Sequence, residues 1–276
     1  MSGMIPKVIH YCWFGGNELP ESALRCIESW KKFCPDYEIK EWNESNFDVQ
    51  CCDYVREAYE AKRWAFVSDY ARFRILYENG GVYFDTDVEL IRPIDDLLAK
   101  GGFMGAENEV SVRPGSELMV APGLGLAAEA GNPFYREMTE RYHRMRFIEE
   151  DGSLNLKTVV AYTTEILREK GLLNRNGIQE IDGCYVYPKE YFCPLDYETG
   201  ELTVTENTRS IHHYSASWHG KTEAYAMSLR RKLNRFLPRK AAAVLSFGVA
   251  KVRFEGIGSY GKYLWRKVRK GMRIRR

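Results

Sequence analysis

Two carboxylates one residue apart, Asp85 and Asp87, end the stretch Gly80-Gly81-Val82-Tyr83-Phe84-Asp85-Thr86-Asp87. Val82, Tyr83 and Phe84 are strand formers and too few for a helix. Alternation along an extended segment puts the side chains of Asp85 and Asp87 on one side. Two hard oxygen ligands then stand ready for Mg²⁺ or Mn²⁺ at the rim of a sheet. Such an ion bridges the oxygens of a diphosphate and neutralises charge as a leaving group departs. An Asp-x-Asp pair alone reads equally well as an Asx turn at a strand end, so its neighbours decide. Upstream, Asp69 and Arg72 lie three apart on a helical segment, where both reach the same side. They sit among Trp64, Ala65, Phe66, Ala71, Phe73 and Ile75. Charges in so apolar a setting need partners, and a bound sugar diphosphate supplies them.

Those residues need a scaffold, and the pattern predicts an α/β fold. Lys7 to Phe14 reads as a buried first strand closed by a Gly15-Gly16 loop, Ser22 to Phe33 as an amphipathic helix, and Tyr37 to Trp42 as a second strand. A single helix is expected from Ala58 to Asn79, ended by the glycine pair. Strands follow at Val88 to Ile91, Phe103 to Ala106 and Leu118 to Ala121, with a site-flanking loop from Glu107 to Glu117. Asn132-Pro133 opens a helix, Lys157 to Glu169 forms another, and Thr208 to Tyr214 is the last strand.

The chain has 276 residues and a formal net charge of +2, with 45% hydrophobic and 28% charged residues, an ordinary globular balance. The small net charge conceals an asymmetry. From Leu229 to Arg276 there are 16 Lys or Arg and one acid, Glu255, for +15, whereas Met1 to Ser228 carries 24 basic and 37 acidic residues, for −13. Two parts are expected: a catalytic body, 1–228, and a basic amphipathic segment, 229–276, that associates with membrane. In that segment Tyr260, Tyr263, Leu264, Trp265 and Val268 interleave with Lys262, Arg266, Lys267, Arg269 and Lys270, the pattern of a helix lying in a membrane interface. Nucleic-acid binding uses basic and aromatic residues too, but the body gives no reason for it, so no nucleic-acid partner is expected. Seven cysteines without a Cys-x-x-Cys pairing point to buried free thiols. With no leader-like start and no apolar run of membrane-spanning length, the expected place is the cytoplasm, peripheral on the inner face of the cell membrane.

Taken together, Ile5-Pro6-Lys7-Val8-Ile9-His10-Tyr11-Cys12-Trp13, Ser68-Asp69-x-x-Arg72, the Gly80 to Asp87 stretch and Ile211-His212-His213-x-x-x-Ser217-Trp218 resemble glycosyltransferase family 32, the DXD-containing sugar-binding-region glycosyltransferases. The likeness is to bacterial capsule and lipopolysaccharide transferases, and more distantly to yeast Och1-type mannosyltransferases and the large clostridial glucosylating toxins. It implies a GT-A fold, one nucleotide-sugar-binding domain around a mostly parallel mixed sheet, and a metal-dependent hexosyltransferase that retains anomeric configuration. The implied donor is a nucleotide-sugar, UDP-hexose favoured, and the acceptor a glycan, in particular a lipid-linked one. Carried onto this sequence, Asp87 is the direct ligand of Mn²⁺ or Mg²⁺, and Asp85 contacts the ribose and reaches the metal. Asp69 bonds sugar hydroxyls, Arg72 holds the sugar or diphosphate, and Ser68 belongs to the same block. His10, Tyr11 and Trp13 line the base and ribose pocket; Ser217 and Trp218 close over the phosphates. Of the two histidines, His213 is the expected metal or diphosphate contact, with His212 turned into the core. The competing reading is a catalytically inactive nucleotide-sugar-binding scaffold in a glycan assembly complex, against which the intact Asp69, Arg72, Asp85 and Asp87 argue.

Overall fold

The computed structural model describes residues 4–111, 115–197, 199–214, 221–259 and 261. The chain divides into two compact units, one of residues 1–194 and 203–213, the other of residues 195–202 and 214–276. In the first, β1 (Val8–Cys12), α1 (Glu21–Phe33) and β2 (Glu38–Trp42) lead to α2 (Asp53–Glu60), α3 (Trp64–Asn79), β3 (Gly81–Tyr83), β4 (Val88–Leu90) and α4 (Asp95–Leu98). The chain continues through β5 (Gly102–Gly105), a 3₁₀ turn (Pro122–Leu124), β6 (Leu126–Ala128), α5 (Pro133–His143) and α6 (Val159–Glu169). It then forms β7 (Gln179–Ile181), β8 (Cys184–Tyr187), α7 (Lys189–Phe192) and β9 (Ser210–His212).

Seven strands form one mixed sheet in the order β2-β1-β3-β6-β5-β8-β7, while β4 and β9 pair antiparallel in a small sheet of their own. The β1–β2, β1–β3 and β5–β8 pairs are parallel; β6 runs antiparallel to both its neighbours, as does β7 to β8. The predicted α/β architecture is present, with β3 placed centrally and delivering Asp85 and Asp87 from its carboxyl end.

Three expectations are corrected. The segment from Ala58 to Asn79 is two helices, because Lys62 adopts a left-handed conformation, φ 56°, that breaks the backbone ladder. Leu118 to Ala121 contributes only a bridge at Val120; the strand lies further on, at Leu126–Ala128. The last strand, expected from Thr208 to Tyr214, is shorter, Ser210–His212. Elsewhere local chemistry predicts well: the Asn132 side chain accepts from the Phe134 N–H at 2.9 Å and caps α5, with Pro133 at its first position.

Gly80 and Gly81 do more than end α3. Both have positive φ, 64° and 94°, and a Cβ on Gly81 would lie 2.8 Å from the Val8 carbonyl and 3.1 Å from His10 Nε2. Only glycine lets β3 turn out of the helix and press against β1. Trp30 on α1 is fully buried and donates its indole N–H to the Val88 carbonyl at 2.7 Å, tying α1 to β4 just past the acidic pair. Glu57 on α2 is buried; Arg146 and the N–H groups of Phe147 and Ile148 satisfy its carboxylate, at 2.6 Å from Arg146 Nε and 2.9 Å from each N–H. Those bonds outweigh the burial that raises it and hold its carboxyl below the usual range. All seven cysteines are free thiols, five of them buried.

The second unit contains α8 (Lys221–Leu233) and α9 (Arg239–Glu255), packed on each other as a hairpin. Ser228, where the charge balance changes, lies inside α8. Among the described residues, no helix is long and apolar enough to cross a membrane.

Candidate functional site

The Asp-x-Asp pair sits where β3 leaves the central sheet and the chain turns into β4. Asp87 and Asp85 come together with His212 of β9: one ligand atom from each lies within 4.8 Å of the others. His212 Nε2 is 3.1 Å from Asp87 Oδ1. His212, and not its neighbour, meets the carboxylates because Asp87 lies in the turn just before β4, outside that strand's alternation. β9 runs antiparallel to β4 with His212 opposite Val88, and the His213 N–H donates to the Asp87 carbonyl. The expectation for His213 is therefore corrected: its ring turns away and meets Glu89 at 2.7 Å. Alternation predicted that the two rings face opposite ways; which one meets the carboxylates depends on the turn that carries Asp87 out of the β4 alternation.

Behind Asp85 stands a buried charge cluster. Arg72 is 3% exposed; its Nη2 is 3.0 Å from Asp69 Oδ1 and 3.2 Å from Asp85 Oδ1, and its Nε donates to the Ser68 carbonyl at 3.1 Å. The Tyr83 hydroxyl donates to Asp85 Oδ1 at 3.0 Å, and the guanidinium lies over the Tyr83 ring, 5.0 Å from its centre. Burial pushes the Asp69 carboxyl up to about 7, Arg72 pulling it down and Asp85 pushing it further up. Asp85 is raised too, first by burial and also by the Asp87 charge, against the pull of Arg72. For His212, burial disfavours the imidazolium, but the charges of Asp87, Asp85 and Glu107 outweigh it and raise its pKa above the usual value. Glu107, just past β5, is itself raised by burial while His212 pulls it down.

The donor set fits a divalent cation. Two carboxylates and an imidazole are hard-to-borderline ligands suited to Mn²⁺ or Mg²⁺. The mutual repulsion of Asp85 and Asp87 is the cost that a cation between them removes.

Other expected residues have different positions. His10 is 1% exposed: Nδ1 accepts from Trp42 Nε1 at 3.0 Å, which leaves Nε2 to donate to the Gly80 carbonyl at 3.1 Å. Its ring is a core tie between β1, β2 and the glycine pair rather than a base-pocket wall, and burial lowers its pKa to about 4. Tyr11 is buried, donating to Glu41 at 2.7 Å. Trp13 is partly exposed, with its indole N–H on the Asn17 carbonyl at 2.7 Å. The Ser68 hydroxyl donates back to the Trp64 carbonyl at 3.1 Å. Ser217 and Trp218 fall outside the described residues.

Gly123, in the 3₁₀ turn before β6, is a site residue the sequence reading missed. Its carbonyl accepts from the Asp85 N–H at 3.2 Å, and a Cβ there would stand 2.1 Å from Asp85 Oδ2 and 3.4 Å from Arg72 Nη1. The Ala121-Pro122-Gly123 sequence, a turn signal rather than a strand end, held the clue. Gly123→Ala is expected to shift the Asp85 carboxylate and lower kcat/KM about 100-fold, the cost of a misplacement on the order of 1 Å. Steady-state kinetics with a melting curve checks this; unchanged kcat/KM would show the close approach to be unnecessary.

Residues 20–104 match the family described as glycosyltransferase sugar-binding region containing DXD motif. Two curated relatives are inositol phosphoceramide mannosyltransferases of Schizosaccharomyces pombe. Number 3 is 37% identical over 101 residues, covering 35% of this chain and 28% of the relative. Number 1 is 32% identical over 111 residues, covering 36% and 33%. The chain thus spans about a third or less of the length of these relatives. Among solved structures, PaToxG glycosyltransferase is similar at a TM-score of 0.43 and 18% identity, over 60% of this chain and 70% of that one. Residues 20–104 thus resemble a DXD-containing sugar-binding region of glycosyltransferases, carried on a mixed α/β sheet.

Proposed function

We propose that the protein is a divalent-cation-dependent, retaining hexosyltransferase that moves a sugar from a nucleotide-sugar to a glycan acceptor in bacterial capsule, exopolysaccharide or lipopolysaccharide synthesis. One observation carries the reading: Asp85, Asp87 and His212 converge on a common point, while Arg72 and Asp69 brace Asp85 from behind. Asp87, His212 and Asp85 would hold Mn²⁺ or Mg²⁺, which supplies charge neutralisation for a departing nucleoside diphosphate.

The protein's own side chains do the rest. Arg72 fixes the orientation of Asp85 through Nη1 and Nη2, so that the carboxylate needs no reorganisation as charge develops. Asp69 spends Oδ1 on Arg72; Oδ2 accepts no hydrogen bond among the described residues, which suits it to a sugar hydroxyl. In the transfer the bond from the anomeric carbon to the phosphate oxygen breaks, its electron pair leaving with the diphosphate. The acceptor oxygen bonds to that carbon from the same face, and its proton passes to the departing phosphate oxygen. No carboxylate is assigned here as a covalent nucleophile.

UDP-hexose is the favoured donor class, and the names of the two yeast relatives put a mannosyl donor beside it. The test is a thermal-shift panel of nucleotide-sugars with and without Mn²⁺, followed by turnover of whichever donor binds. At a ligand concentration ~100 times Kd the native state gains about 2.7 kcal/mol, so one donor with Mn²⁺ is expected to raise Tm by several degrees. NMR of the product from an α-linked donor should show an α-linkage. A shift without turnover would make the chain a binding scaffold, and no shift with any donor would remove the reading.

A further inference from the structure

The exposed large apolar side chains concentrate in the second unit, on and around α9. Val244 is 60% exposed, Leu245 50%, Val249 47% and Val252 39%, and Phe236 and Ile257 on either side are more open still. With Ala241, these α9 residues fall within roughly 140° of the helix at 100° per residue. The opposite face, Ala242, Ser246 and Ala250, is buried where α9 meets α8. One face of α9 is thus packed through small residues, while the other leaves its aliphatic side chains exposed among the described residues.

What surrounds that face is cationic. Lys232, Arg235 and Lys240 are exposed in the same unit, and the chain from Leu229 onward carries 16 Lys or Arg against one acid, Glu255, which lies in the last turn of this face and pairs with Lys251 at 2.6 Å. We infer that the exposed face of α9, centred on Val244, Leu245, Val249 and Val252, docks the protein on the surface of an anionic lipid bilayer. The aliphatic side chains enter the acyl boundary while the flanking Lys and Arg meet the headgroups. α9 is too short and too charged at its ends to span, so it lies in the plane. A second copy of the chain is disfavoured as the cover, because it would bring a segment of formal charge +15 against its own kind. Single-stranded nucleic acid shares the charge argument but is held by aromatic stacking, and this face is aliphatic. The inference is independent of the transferase reading, since it concerns residues of the other unit.

The experiment is flotation of the full chain with vesicles of phosphatidylcholine alone, or of phosphatidylcholine with phosphatidylglycerol. Wild type is expected to float with the anionic vesicles, to remain behind with the neutral ones, and to lose binding as salt rises. The double variant Leu245→Glu, Val249→Glu changes two solvent-facing positions and is expected to float at least ~10-fold less. Its melting temperature and circular dichroism should match wild type, which shows that the fold is retained. Equal flotation of the double variant and wild type would overturn the assignment, as would equal binding to neutral vesicles. So would sedimentation showing a wild-type dimer that the variant loses without any vesicle binding, or retention of wild type by single-stranded RNA but not by vesicles.

Discussion

Asp87→Asn is expected to lower kcat at least ~10³-fold while leaving the melting temperature without metal within a few degrees of wild type. The substitution keeps the volume of the side chain but removes the charge on which the proposed cation depends. Asp85 faces Arg72 and Tyr83, and Asp87 faces His212 across the proposed cation position. The asparagine can still receive a hydrogen bond from the imidazole, so the β4–β9 sheet, which holds His212 and begins one residue after Asp87, should persist. The decisive readout is separate from turnover. Wild type should gain thermal stability with Mn²⁺ and donor, and the variant should gain almost none. A variant that retains either the Mn²⁺-dependent shift or near-normal kcat would remove Asp87 from the metal site.

Arg72→Met is the second large effect, and it falls on stability as well as activity. Arg72 is buried between two carboxylates, and its removal leaves Asp69 and Asp85 without their counter-charge. Breaking a buried ion pair in this way costs about 3 kcal/mol or more, which at roughly 2–4 °C per kcal/mol lowers Tm by ~10 °C near neutral pH. The pH dependence follows in sign. Burial already holds the Asp69 carboxyl at about 7, and Arg72 is the influence that lowers it; without Arg72 the folded pKa rises further above the unfolded value of about 3.9. The native variant then binds more protons than the unfolded chain, so its stability falls as pH rises from about 4 through neutrality. The Tm deficit relative to wild type should be largest near pH 8 and shrink toward pH 5. A deficit that stays constant across that range would mean that lost packing, not the orphaned carboxylates, is responsible.

Much of this was legible in the sequence where local chemistry decides the outcome. The glycine pair after α3, the Asn132 cap and the short apolar run before Asp85 each carry their own instructions, and the helix carrying Asp69 and Arg72 follows from spacing. What escaped depended on partners distant in the chain. The choice between His212 and His213 depends on how the turn before β4 aims Asp87 at β9, which no property of residues 210–213 alone can answer. His10 carries the look of a ligand, yet Trp42 and the Gly80 carbonyl consume both its nitrogens. The break at Lys62 lies in a stretch whose composition favours continuous helix, and tertiary packing overrides that preference. Gly123 is important through an atom it lacks, and a missing Cβ leaves no pattern to read.

The small β4–β9 sheet has a consequence for how the protein is made. Its two strands are separated by nearly half the chain, and the imidazole beside Asp87 arrives on the later one. A nascent polypeptide emerging from the ribosome would display the acidic couplet long before its third member exists. Catalytic competence is thus deferred until almost the whole of the first unit has been synthesised, and a prematurely ended product keeps the motif but lacks the histidine that completes it.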